Sequence, residues 1–130
     1  ELVGGWRRRQ PECRFELKVD GDIDALPDAL RTSLYRIVQE SLTNALRHGH
    51  PRRVVVDVCA STAGCHLRVD DDGAGREEPT AGSGLGVLGM QERVEALGGR
   101  FALLPLLPRG MRVAADFPAE AVRAVEMNHE

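Results

Sequence analysis

The residues best placed to do chemistry are Asp71 with the glycines that follow it, and Glu40 with Asn44. Asp71 closes an alternating stretch, His66-Leu67-Arg68-Val69-Asp70, and is followed by Asp72-Gly73-Ala74-Gly75. Side chains alternate along a strand, so Leu67, Val69 and Asp71 share one face. With Leu67 and Val69 turned into a core, Asp71 stands at that core's open end. A carboxylate there is costly unless a donor pairs with it. Gly73 and Gly75 then let the backbone pass close to something bulky. Eight of the 14 glycines, at positions 73, 75, 82, 84, 86, 89, 98 and 99, crowd into one stretch. Such density fits a loop whose amides cover phosphates. For Asp71-x-Gly73-x-Gly75 alone, an ordinary strand-end turn is the plainer alternative.

Glu40, Asn44 and Arg47 recur at helical spacing. At about 100° per residue, Leu34, Val38, Leu42 and Ala45 form one apolar stripe. The three polar residues form a second stripe on a different face of the helix. Asn is a poor choice inside a helix because its amide competes for backbone bonds. Its place one turn after Glu40 therefore asks for a reason beyond a solvated polar face.

The elements that must position these groups can be read from the pattern. Phe15-Glu16-Leu17-Lys18-Val19 alternates as a strand with Phe15, Leu17 and Val19 inward. Pro27 fits the first turn of a helix, and Asp28 suits its dipole. That helix runs to about His48 and is stopped by Gly49 and Pro51. Arg53 to Cys59 and Cys65 to Asp70 form a hairpin around residues 60–64. Residues 76–84 read as a polar loop, and Leu85 to Leu97 as a helix stopped by Gly98-Gly99. Phe101 to Leu107 and Met111 to Phe117 close the fold around Pro108-Arg109-Gly110. Residues 1–12 read as the end of a preceding helix and a linker, with Gly4-Gly5 breaking the helix and Pro11 barring its resumption. The globular unit is expected at 13–118, with a short helix or frayed tail at 119–130. Helices and mostly antiparallel strands in this order give an α+β, two-layer α/β sandwich, one sheet covered by helices on one face.

Composition bounds the function. The 130 residues suffice for one domain with a real core. A hydrophobic share of 42% with 28% charged residues fits a soluble globular protein. The net charge of −3 gives nucleic acid no electrostatic purchase. The short Arg7-Arg8-Arg9 run reads as a solvated linker. No stretch approaches the roughly 20 apolar residues of a membrane span, and no secretory leader is visible. Cys13, Cys59 and Cys65 lack metal-type spacing and read as reduced thiols in a cytoplasmic setting.

Three signals stand in one order: Glu40-x-x-x-Asn44-x-x-Arg47-His48, then Asp71-x-Gly73-x-Gly75, then Gly82-Ser83-Gly84-Leu85-Gly86. Together they resemble the N, G1 and G2 boxes of the ATP-binding (Bergerat) domain of sensor histidine kinases, in the superfamily shared with gyrase, Hsp90 and MutL. Leu34-Tyr35-Arg36-Ile37-Val38-Gln39-Glu40-Ser41-Leu42-Thr43-Asn44-Ala45 is similar to the nitrate-sensor and thermosensor type. So is Gly84-Leu85-Gly86-Val87-Leu88-Gly89-Met90-Gln91-Glu92-Arg93-Val94. The resemblance covers about residues 23–117.

What it implies agrees with the chemistry of each side chain. Asp71 accepts from adenine's exocyclic amine, and Gly73 and Gly75 leave room for the purine. Mg²⁺ prefers hard oxygen ligands and keeps water. The side-chain oxygen of Asn44 fits it directly, and Glu40 holds or polarises a metal-bound water. Arg47 and His48 balance phosphate charge, although His48 also suits a helix end. The backbone amides of Gly82, Gly84, Leu85 and Gly86 meet the phosphates as a lid. Leu88 and Met90 read as core, and Glu92-Arg93 as a surface pair.

Two departures stand out. The family's usual Gly-Thr or Gly-Ser before the last strand is Gly110-Met111, so an expected hydroxyl is missing. Its usual Lys-His is Arg47-His48, which keeps charge and alters geometry. None of His48, His50, His66 and His129 has the dimerisation-helix context of a phosphoacceptor. The implied function is the catalytic half of a histidine kinase, using ATP and Mg²⁺. It would phosphorylate a histidine on a dimerisation domain that in turn serves a response regulator. The isolated domain is expected to be a monomer, and the parent a homodimer, membrane-anchored or free. The alternatives are an ATP hydrolase with Glu40 as base, an anti-sigma-type serine kinase, or a degenerate nucleotide-sensing module, for which Met111 is the only hint.

Overall fold

The computed structural model describes residues 2–9, 12–74 and 81–123, with the backbone alone described for residues 2, 3, 7, 9, 48 and 81–85. Five strands form one sheet: β1 (Arg14–Asp20), β2 (Arg53–Ser61), β3 (Gly64–Asp71), β4 (Arg100–Pro105) and β5 (Met111–Pro118). Their spatial order is β1-β2-β3-β5-β4. β1 lies parallel to β2 and every other pairing is antiparallel. Four α-helices accompany the sheet among the described residues, α1 (Leu2–Arg9), α2 (Asp28–His48), α3 (Ala81–Ala96) and α4 (Ala119–Val122), with one 3-10 turn at Ile23–Ala25.

Strand alternation decides the two faces. Val54, Val56 and Val58 of β2, Leu67 and Val69 of β3, and Val113, Ala115 and Phe117 of β5 are buried. They meet Leu30, Leu34, Ile37, Val38 and Leu42 of α2 and Met90 and Val94 of α3 in one core. The opposite face carries charge. Arg53 pairs with Glu16, Arg112 with Asp70, and Arg68 and His66 with Asp116, all at 2.7–2.9 Å. This is the two-layer α+β sandwich expected from the sequence, with a mixed, mostly antiparallel sheet.

Several local expectations need correction. Helix α1 runs through Gly4-Gly5 to Arg9 instead of stopping there. Trp6 packs on the core, and that burial outweighs a cost of roughly 1 kcal/mol for each helical glycine. Leu17 and Val19 face the helical side by register but are 41% and 47% exposed. They sit on an edge strand, where only Phe15 is buried. Helix α3 starts at Ala81, four residues before the expected Leu85, so the glycine-rich stretch is partly helical. β4 ends at Pro105 instead of Leu107, and Leu107 is 95% exposed. The three cysteines are free, as read, and Cys59 and Cys65 stand at alternate-face positions beside the tight hairpin turn.

Candidate active site

Helix α2 carries the first group. Its apolar stripe, Leu34, Val38, Leu42 and Ala45, is buried as expected. Glu40 and Asn44 are half-buried on the neighbouring face, and Arg47 is exposed near its end. The helix stops where Gly49 donates its N–H to the Ala45 carbonyl at 2.9 Å.

Three successive carboxylates end β3, and the pleat sends them to three tasks. Asp70 faces the charged side and takes a bidentate hydrogen bond from Arg112, 2.8 Å on each oxygen. Asp72 accepts from the backbone N–H groups of Arg52 and Arg53 at 2.8 and 3.0 Å, tying the loop to the start of β2. Asp71 faces the helical side, half-buried, and accepts from the Gly73 N–H at 2.8 Å. Cys13 is buried within reach of both charges: burial raises its thiol pKa, and Asp72 and Asp71 add to the effect.

The β3 loop is stitched to the end of α2. Ala74 donates to the Gly49 carbonyl at 2.7 Å. A Cβ at Gly73 would lie 2.8–2.9 Å from the Gly49 backbone, so only glycine permits this approach. Arg109 reaches the Gly73 carbonyl at 3.4 Å. Gly110, at φ +112°, lets the β4–β5 loop close over the Asp71 carbonyl, which a Cβ would meet at 2.1 Å. Asp71 is thus held from both sides by backbone.

Helix α3 supplies the third wall. Gly86 sits against Glu40, and Ser41 donates to the Met90 sulfur at 3.6 Å to lock the two helices. A cleft of about 300 Å³ opens between them, lined among others by Glu40, Thr43, Gly86 and Arg93.

The structure therefore brings Glu40 to Gly86, and Asp71 and Gly73 to the end of α2. Gly75 lies outside the described residues, as does the side chain of His48. Gly82 falls in the first turn of α3, where amides lack intrahelical acceptors, while Leu85 and Gly86 fall in the second. Gly82, Gly84 and Leu85 are described by backbone alone. Sequence reading missed the tie made by Asp72 and took Gly49 only for a helix stop; Arg93, read with Glu92 as a surface pair, is exposed and also lines the cleft. The Asp70-Asp71-Asp72 run held the signal for Asp72, since alternation leaves only one of three carboxylates facing the core side. Among the described residues no group of three or more His, Cys, Asp or Glu side chains could hold a metal by itself. No helix among them is long and apolar enough to cross a membrane.

A family model for the histidine kinase-, DNA gyrase B- and HSP90-like ATPases matches residues 29–121, which contain α2, the β3 loop and α3. The chain belongs to this family. Among curated relatives, it is 36% identical over 102 residues to the sensor histidine kinase LnrJ of Bacillus subtilis. It is 33% identical over 101 residues to the histidine-protein kinase/phosphatase UhpB of Salmonella typhimurium. Both matches cover 78% of this chain, which spans 25% of the first relative and 20% of the second. The fold is that of solved histidine kinase ATP-binding domains. The ATP-binding domain of Mycobacterium tuberculosis PrrB aligns over 89% of this chain and 87% of its own, at 21% identity and a TM-score of 0.64. The blue-light activated histidine kinase of Erythrobacter litoralis aligns over 92% of this chain and 43% of its own, at 21% identity and a TM-score of 0.73. A histidine kinase-like ATPase of this kind uses ATP.

Proposed function

We propose that this chain binds ATP with Mg²⁺ and delivers the γ-phosphoryl to a histidine of a separate dimerisation domain, which then serves a response regulator. The catalytic unit spans 13–118, with 1–12 leading in from a preceding helix and 119–130 as a tail. The parent acts as a homodimer in the cytoplasm, membrane-anchored or free. One observation carries the reading: the Ala74–Gly49 bond seats the Asp71 strand end on the end of the helix that carries Glu40 and Asn44. A base-reading carboxylate and a pair of hard-oxygen groups therefore share one framework.

Asp71 accepts from the exocyclic amine of adenine, and Gly73 keeps the loop low enough for the ring. Asn44 and Glu40 are oxygen donors one helical turn apart, a set that fits Mg²⁺ together with water and phosphate oxygens. The ion, when bound, neutralises phosphate charge. Glu40 orients a water or the incoming nucleophile, and Arg47 and His48 offset the charge of the triphosphate. The N-terminal turn of α3 with Gly82 and Gly84 approaches the phosphates, completed by Gly75, Leu85 and Gly86. Such a site works mainly by positioning and charge stabilisation. Calorimetry of the chain with ATP, with and without Mg²⁺, tests the reading. Magnesium-enhanced binding supports it, and no ATP binding rejects it.

A further inference from the structure

Met111 stands directly opposite Asp71 in the antiparallel β3–β5 pair, and Val54 stands opposite it on β2. The row continues to Phe15 on β1 and Pro105 on β4. All five side chains of the row Phe15, Val54, Asp71, Met111 and Pro105 are at positions facing the helical side, and Asp71 is its only polar member. Within the paired strands the diagonal neighbours of Asp71 on that face, Val56 and Val113, are apolar too; Arg109, in the loop before β5, is engaged by the Gly73 carbonyl. Gly110 pins this register, because its close contact with the Asp71 carbonyl leaves no room for a Cβ.

Directly opposed residues place their Cβ atoms about 4.5–5.5 Å apart. A hydroxyl or amide at either flank of Asp71 would therefore reach the ring atom beside a base's exocyclic amine. Val54 has no polar atom, and a thioether accepts weakly and donates nothing. Adenine carries acceptor nitrogens, N1 and N7, on the two sides of its amine. Met111 is half-buried and opens β5 directly opposite Asp71.

We infer that Met111 sets base specificity by leaving the ring nitrogen beside the amine unread, with apolar contact in place of a hydrogen bond. This rests on Asp71 reading the exocyclic amine. The base is then recognised by one polar contact from the sheet. GTP, which bears an oxo group where adenine bears the amine, is rejected by Asp71. A base that keeps the amine and loses the neighbouring nitrogen is accepted.

Competition binding with ATP, 1-deaza-ATP, 7-deaza-ATP and GTP tests the assignment. In the unaltered chain at least one deaza analogue should bind within about threefold of ATP, because no protein hydrogen bond is lost. Met111→Thr adds a donor and should favour ATP over that same analogue by roughly tenfold, the scale of one hydrogen bond. Met111→Leu should keep the original ratio. Both analogues weakened tenfold or more in the unaltered chain would overturn the inference, and that comparison needs no variant to fold. An unchanged ratio in a folded Met111→Thr protein would overturn it as well. Failure of the underlying reading looks different: ATP and GTP would bind alike, or Asp71→Ala would bind ATP as before.

Discussion

Glu40 lies against Gly86: a Cβ at position 86 would stand 2.9 Å from both Cδ and Oε2 of the Glu40 side chain. The neighbour here is the end of a flexible side chain, so the fold can yield cheaply while the carboxylate moves. Gly86→Ala is expected to leave thermal stability nearly unchanged. Phosphotransfer should fall by at least tenfold if the Glu40 carboxylate must hold its place. A folded variant with unaltered turnover would show that this contact has no catalytic consequence.

Asp71 is the one polar side chain in its row across the sheet. Removing a charge-assisted hydrogen bond costs on the order of 1.5–3 kcal/mol. Asp71→Ala should therefore weaken ATP binding by roughly 10- to 150-fold. Calorimetry on the folded variant reads this directly, and an unchanged affinity contradicts the role.

Asn44 shares a helix face with Glu40, away from the buried stripe, and is half-buried. Asn44→Ala is expected to weaken Mg²⁺-dependent triphosphate binding far more than adenosine binding. Equal losses for the two ligands would place Asn44 at the base and not at the metal.

Much of this was legible in the sequence, and the limits have physical causes. The α2 stripe and the inward turn of Asp71 follow from local periodicity, which the helix and strand geometries enforce. The strand order, the parallel β1–β2 pairing and the Asp71–Met111 opposition depend on contacts distant in sequence, which no local pattern records. Leu17 and Val19 kept the alternation but lie on an edge strand, so their exposure could not be read from spacing. Gly4-Gly5 misled because glycine propensity is weak against tertiary packing, here that of Trp6 on the core. Glu40 against Gly86 and Gly73 against Gly49 are close approaches whose glycines were visible while their partners were not.

The charged sheet face gives a pH dependence. Burial acts to raise the Asp116 carboxyl, but hydrogen bonds from His66 and Arg68 outweigh it and hold the pKa below the ordinary 3.8. A depressed carboxyl contributes stability that is fully present above its unfolded value. That contribution is lost as pH falls through 3.8 and on through the lower folded value. Asp116→Asn should therefore lower stability at neutral pH and flatten the loss between about pH 5 and pH 2. Denaturant melts across that range check it, and parallel curves for the two proteins would contradict it.

The central proposal is phosphoryl transfer to an acceptor outside these residues. His66 faces away from Asp71 and is engaged by Asp116 at 2.7 Å, and in-line transfer needs an acceptor aligned opposite the leaving oxygen. The decisive measurement is incubation with γ-labelled ATP and Mg²⁺, with and without the parent's dimerisation domain. Acid-labile label on the added domain, and none on this chain alone, is expected. Stable label on the isolated chain, or ATP turnover to phosphate with the added domain unlabelled, would contradict it.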